Sequence, residues 1–324
     1  MTDIFLFSLA IVSGFVLLVW GADRFVHGAS AIARNLGISP LIIGLTIVGF
    51  GTSAPEILVS IVAALEGNPG LAVGNALGSN IANIGLVLGT TALITPLLVK
   101  SETLRREYPA MFAVMLLTLA LMFDNRLGRI DGVVLIGGLS LVLFWMVNLG
   151  LRKNHIDPMA QEYEQEIPKI STPWAFFWLL LGFIVLLASS RALVWGAVNI
   201  ATVMGVSDLI IGLTIVAIGT SLPELAASVM SAIRKEPDIA IGNIIGSNMF
   251  NLLAVLGAPA LIAPLDLDPG VMSRDFPYMI GLSIALYTMA YGFRGPGRVN
   301  RFEGGVLLVA YIVYMIMLYF SATG

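Results

Sequence analysis

The chain carries one segment twice. Gly37 to Leu97 aligns with Gly205 to Leu265 without a gap, at a constant shift of 168 residues, and about half of the paired positions are identical. The two copies agree best at G-T-S-A-P-E (Gly51 to Glu56) against G-T-S-L-P-E (Gly219 to Glu224). They agree again at G-N-A-L-G-S-N-I-A-N (Gly74 to Asn83) against G-N-I-I-G-S-N-M-F-N (Gly242 to Asn251). Each copy sets a carboxylate and a proline in the middle of a hydrophobic run. Paired interruptions of this kind, in corresponding places of two halves, point to the binding site of a transporter.

The runs themselves define the solvent. Of 324 residues, 58% are hydrophobic and only 11% are charged, whereas a soluble domain carries about 25% charge. Apolar runs recur along the whole chain, each near the ~20 residues that cross a bilayer. The fold class is therefore an all-α polytopic membrane protein. Ten spans are expected, near 4–22, 38–64, 70–98, 107–124, 131–151, 173–196, 206–233, 238–264, 276–293 and 304–321. A polar stretch over 152–172 separates a first five-helix repeat, 1–151, from a second, 173–324, and reads as a cytoplasmic linker. The first run, Ile4 to Trp20, has no basic residue before it and no small-residue cleavage site, so it is expected to stay as a helix. The absence of cysteine excludes disulfides, zinc-thiolate sites and thiol catalysis.

Charge orients the spans. With the amino terminus outside, the cytoplasmic loops hold 13 Lys and Arg and the outer side only Arg126, Arg129, Arg191 and Arg274. The positive-inside rule thus favours two extracytoplasmic termini. Five spans per half is an odd number, so the halves enter the membrane in opposite directions. The turn Glu66-Gly67-Asn68-Pro69 carries no basic residue, and its counterpart Arg234-Lys235-Glu236-Pro237 carries two. This is the charge bias expected of an inverted-topology repeat.

Of the 20 acidic residues, only Glu56 and Glu224 fall at mid-span, with no Lys, Arg or His at that depth. An ionised group there is costly by a few kcal/mol or more, so it marks function. Two unpaired carboxylates suit a divalent cation, and hard oxygen ligands suit Ca²⁺ or Na⁺. Thr52, Ser53, Thr220 and Ser221 supply hydroxyls; Ser79, Asn80, Asn83, Ser247, Asn248 and Asn251 supply more oxygens from the second motif. Pro55 and Pro223 each remove an amide donor and free the carbonyl four residues back, near Gly51 and Gly219. At this depth such carbonyls must meet protein, water or an ion. Ser79 and Asn83 share one helix face, and Gly74 and Gly78 permit close helix approach. The two histidines, His27 and His155, lie away from mid-membrane, and no serine-nucleophile or H-E-x-x-H arrangement exists, so an enzyme is not expected. A passive ion channel would instead show conductance without counter-ion dependence.

The paired motifs resemble the α-repeats of the sodium/calcium exchanger family, within the wider cation/calcium antiporter superfamily. The resemblance spans the whole membrane domain and is closest to the compact prokaryotic members, similar to bacterial inner-membrane exchanger homologues. It implies a secondary antiporter that exchanges Ca²⁺ for Na⁺ by alternating access, with Ca²⁺/H⁺ antiport by the same glutamates as the alternative. By the family's pattern, Glu56 and Glu224 bind Ca²⁺ directly and Thr52 and Thr220 add backbone carbonyls. Ser53 with Ser247, and Ser79 with Ser221, contribute to two flanking Na⁺ sites with carbonyls near Gly49 and Ala217. Asn83 and Asn251 line the centre. Potassium-dependent relatives have an aspartate where this chain has Asn251, which implies independence of K⁺. The expected partners are Ca²⁺ and Na⁺ as substrates and membrane lipid, with no cofactor, no nucleic acid and no obligate protein partner.

Overall fold

The computed structural model describes all residues except 1, 68, 100–104, 152–169, 206–216, 292–296 and 324. Most of the linker, the first part of the expected seventh span and Asn68 therefore lie outside the described residues. Helix occupies most of the described part of every expected span. In chain order the helices are α1 (Thr2–Leu36), α2 (Pro40–Leu65), α3 (Gly70–Ile94), α4 (Glu107–Leu121), α5 (Arg129–Leu151) and α6 (Thr172–Val203). Then come α7 (Ala217–Thr220, then Leu222–Ile233), α8 (Pro237–Ile262), α9 (Phe276–Ala290) and α10 (Arg301–Thr323). Seven of these are long and apolar enough to cross a membrane. Helix satisfies every backbone polar group internally, which lipid demands.

Two helices overrun their expected ends. α1 continues to Leu36 rather than stopping near 22, and α6 continues to Val203 rather than 196. At 1.5 Å per residue, α1 is about 52 Å long, more than a bilayer is thick. Arg24 and Arg34, expected in loops, therefore lie within a helix. Charge does not end α1 because it is met sideways. Asp23 accepts from Arg234 Nε at 2.8 Å, and the Arg24 guanidinium lies over the rings of Trp20 and Trp178. Each helix ends only beside a glycine at positive φ, Gly37 (64°) and Gly205 (78°), which are repeat equivalents.

Small residues recur every seven positions on both long helices: Gly14, Gly21 and Gly28 on α1, and Ala175, Gly182, Ser189 and Gly196 on α6. They face each other in antiparallel order. A methyl built on Gly28 would lie 2.4 Å from the Leu179 nitrogen, and one on Gly182 would lie 2.3 Å from the Phe25 nitrogen. The backbones touch because nothing larger than hydrogen stands between them. At the 168-residue shift α1 and α6 are equivalent, and they pack antiparallel.

The remaining helices enclose α3 and α8. Every residue of α8 from Ile239 to Phe250 is buried. α2 runs parallel to α8 at backbone contact: methyls on Gly242 and Gly246 would lie 2.5 Å from the Leu41 carbonyl oxygen and 2.3 Å from that of Leu45. Two antiparallel strand pairs, too short to show periodicity in sequence, tie the halves together. β1 (Leu97–Leu98) pairs with β4 (Arg298–Val299), and β2 (Arg126–Leu127) pairs with β3 (Leu265–Asp266).

Candidate functional site

The two copies of the first motif lie on α2 and α7, and the two copies of the second on α3 and α8. At Asn83 and at Asn251 the helix widens to π geometry, over Asn83–Leu88 and Asn251–Val255. α2 does the same over Gly44–Val48, just before its motif. Turns of this kind inside α-helices concentrate at functional sites.

Glu56 and Glu224 are both buried, 1% and 2% exposed. Thr52, Ser53, Ser79, Ser221, Ser247, Asn83 and Asn251 are buried as well. Thr220 is half-buried beside the break in α7, and Ala217 is the first described residue of that helix. Three predicted residues from different halves meet directly. The Ser247 hydroxyl donates to the Gly49 carbonyl at 3.3 Å and lies 3.4 Å from the Thr52 hydroxyl. Ser53 does not take part in that contact, and Ser79 and Ser221 lie on α3 and at the α7 break. The carbonyl that Pro223 frees is met by protein: Ser190 of α6 donates to Gly219 O at 3.2 Å.

Several buried oxygens have no hydrogen-bond partner in the protein: both carboxyl oxygens of Glu56, Glu224 Oε2, Ser53 Oγ, Asn83 Oδ1 and Asn251 Oδ1. An unpaired buried oxygen costs about 1–3 kcal/mol, more when charged. These residues come from both halves and from both motif pairs. Among the described residues no three carboxylates or imidazoles gather. The donor set is thus two carboxylates with neutral oxygens, which suits a hard cation bound reversibly.

The sequence reading passed over Asn75 and Asn243. Asn75 Nδ2 donates to Glu56 O at 3.0 Å and Ser60 Oγ at 2.9 Å; Asn243 Nδ2 donates to Glu224 O at 3.4 Å and Ser228 Oγ at 2.9 Å. Asn243 Oδ1 also accepts from Thr52 at 3.1 Å. Each asparagine thus ties the backbone of a glutamate to the neighbouring motif, and the G-N pair in both copies was its signal. Two more buried acids, Glu107 and Asp275, are also repeat equivalents, in R-E-Y-P-A-M (Arg106 to Met111) and R-D-F-P-Y-M (Arg274 to Met279). Asp275 is held by Arg274 Nε at 2.7 Å and by the Tyr314 hydroxyl at 3.0 Å.

The same chain plan occurs in known proteins. The family described as sodium/calcium exchanger protein matches residues 6–148 and 174–320. The putative antiporter CaxA of Alkalimonas amylolytica is 51% identical over 315 residues, covering 97% of this chain and 99% of its own. The inner membrane protein YrbG of Escherichia coli is 42% identical, covering 95% of each chain. A solved structure of the sodium-calcium exchanger NCX_Mj superposes with a TM-score of 0.83 at 32% identity, over 97% of this chain and 98% of that one. With matches that run through both halves and both motif pairs, the chain belongs to the sodium/calcium exchanger family.

Proposed function

We propose that this protein is a secondary antiporter that exchanges Ca²⁺ for Na⁺ across an inner membrane by alternating access. The observation that carries this reading is the group of buried, partnerless oxygens on Glu56, Glu224, Ser53, Asn83 and Asn251. Glu56 and Glu224 bind Ca²⁺, with the Thr52 and Thr220 carbonyls completing the central site. Ser53 with Ser247, and Ser79 with Ser221, take Na⁺ on either side, joined by the carbonyls of Gly49 and Ala217. The contact of Ser247 with Gly49 O supports the first of these. Two carboxylates neutralise one Ca²⁺ or several Na⁺, not both loads together, and that exclusion couples the fluxes.

The two halves, 1–151 and 173–324, are inverted repeats joined by the cytoplasmic linker 152–172, with both termini outside. The antiparallel packing of α1 on α6 supports the inversion. The α1–α6 pair slides across the core and exposes the site to one side at a time. The test is isotope flux in proteoliposomes. A Na⁺ gradient at clamped pH should drive ⁴⁵Ca²⁺ uptake. Uptake that follows a proton gradient and ignores Na⁺ would replace this reading with Ca²⁺/H⁺ antiport.

A further inference from the structure

The amides of Asn83 and Asn251 have two ends of nearly equal size, and only the oxygen end attracts a cation. Something must set which end faces the site. In the structure Asn251 Nδ2 donates to Asn80 Oδ1 at 3.2 Å, and Asn83 Nδ2 donates to Asn248 Oδ1 at 3.1 Å. Both bonds cross between the halves, and all four residues are 0–1% exposed. The oxygen ends of Asn83 and Asn251 are the ones left without a protein partner.

The second amides are themselves oriented. Asn80 Nδ2 points at Met279 Sδ at 3.3 Å, and Asn248 Nδ2 points at Met111 Sδ at 3.9 Å. A thioether sulfur accepts weakly and never donates. The end of Asn80 or Asn248 that faces it is therefore the NH₂ end, and the oxygen end is left for the site amide. Each row thus has one polarity: sulfur, then asparagine, then the site asparagine, then an outward-facing oxygen. Met111 and Met279 are repeat equivalents, as are Asn80 and Asn248, and Asn83 and Asn251. The row is built twice.

We propose that Asn80 and Asn248, anchored by Met279 and Met111, are positioning residues that hold the Asn251 and Asn83 amides with oxygen toward the ion. This rests on the reading of Asn83 and Asn251 as ion ligands. Outer partners of this kind are worth about 10–100-fold in metal affinity. N80L removes the acceptor and frees the Asn251 amide to rotate, so the KM for Ca²⁺ should rise about tenfold with the maximal rate largely kept. A carboxylate presents oxygen at either end and needs no orienting partner. In an N251D background, N80L should therefore leave the KM for Ca²⁺ where N251D alone puts it.

Exchange of ⁴⁵Ca²⁺ in proteoliposomes, with KM and maximal rate fitted separately, measures both. An equal N80L penalty in the two backgrounds, or a loss of rate at unchanged KM, would mean Asn80 only packs, and would overturn the proposal. N251A separates the underlying reading: if it leaves the KM for Ca²⁺ unchanged, Asn251 is no ligand and the proposal falls with that reading. Should N80L not assemble, M279L carries the test. It keeps the volume and removes the acceptor, so the two polarities become comparable and the competent fraction halves. The KM should then rise about twofold, and about fourfold when M111L is added. An unchanged KM in M111L/M279L would overturn the proposal.

Discussion

Gly182→Ala should loosen the whole α1–α6 pair, and the structure gives the size of the effect. The added methyl would lie 2.3 Å from the Phe25 nitrogen and 2.7 Å from the Phe25 Cα. Ordinary contact begins near ~3.5 Å, so the two helices must separate by roughly 1 Å. The obstacle is backbone, which cannot rotate aside as a side chain can. Overpacking of this kind costs about 1–3 kcal/mol, and the seam also loses contact at Gly21 and Gly28. Against this, replacing glycine by alanine in a helix gains about 0.5–1 kcal/mol. The net expectation is a loss of about 1 kcal/mol. Gly137, in α5, is the control: a methyl there meets nothing within 4 Å, so Gly137→Ala keeps only the helical gain. Thermal unfolding of the two purified variants in detergent should therefore shift Tm in opposite directions. Equal Tm values for the two would refute the close-packed seam.

Three other expectations follow from the site and the topology. Glu56→Gln and Glu224→Gln should each abolish Ca²⁺ flux while the protein still inserts and purifies; near-normal flux in either would remove that residue from the ligand set. Exchange measured with Na⁺ and Ca²⁺ alone should be unchanged by added K⁺, because residue 251 is an amide, and strict K⁺ dependence would contradict this. Cysteines placed at Asn68 and Glu236, in a chain with none of its own, should react with an impermeant reagent from outside for Asn68 and only after permeabilisation for Glu236. Labelling of both from one side would contradict the inverted repeat.

The parts legible in sequence were those repeated in local order. The 168-residue shift exposed the motif pairs, and the lack of a mid-span base marked Glu56 and Glu224 among the 20 acids. The end of α1 was less legible, because Asp23 and Arg24 read as the water boundary. In the fold Asp23 is answered by Arg234 and Arg24 by two tryptophan rings, contacts that no local pattern announces. The two strand pairs join residues about 140 and 200 positions apart and leave no periodic trace. The methionines beside Asn80 and Asn248 look like ordinary apolar helix residues until the amides arrive next to them. Only the continuation of the repeat to Met111 and Met279 marked them, beyond the segment where identity is dense.

One difference between the halves has little counterpart in local sequence. G-T-S-A-P-E and G-T-S-L-P-E differ at a single residue, Ala54 against Leu222. Yet α2 runs unbroken through its copy with Pro55 inside, whereas α7 stops at Thr220 and restarts at Leu222. The same short sequence thus holds two backbone forms, and what packs on it must choose between them. The neighbours do differ. Gly219 meets Val194 of α6 and its carbonyl is capped by Ser190, while Gly51 meets Phe183 and Phe25. The repeat equivalent of Ser190 on α1 is Ala22, which has no hydroxyl to offer. The long helix pair therefore reads the two motifs differently, although the motifs themselves are nearly the same. A pair that moved relative to the core would exchange these contacts, and each glutamate-bearing helix would change form without any change in its own sequence. Under the proposed antiport, that exchange of contacts is how two near-identical motifs would let a single site face each side of a membrane in turn.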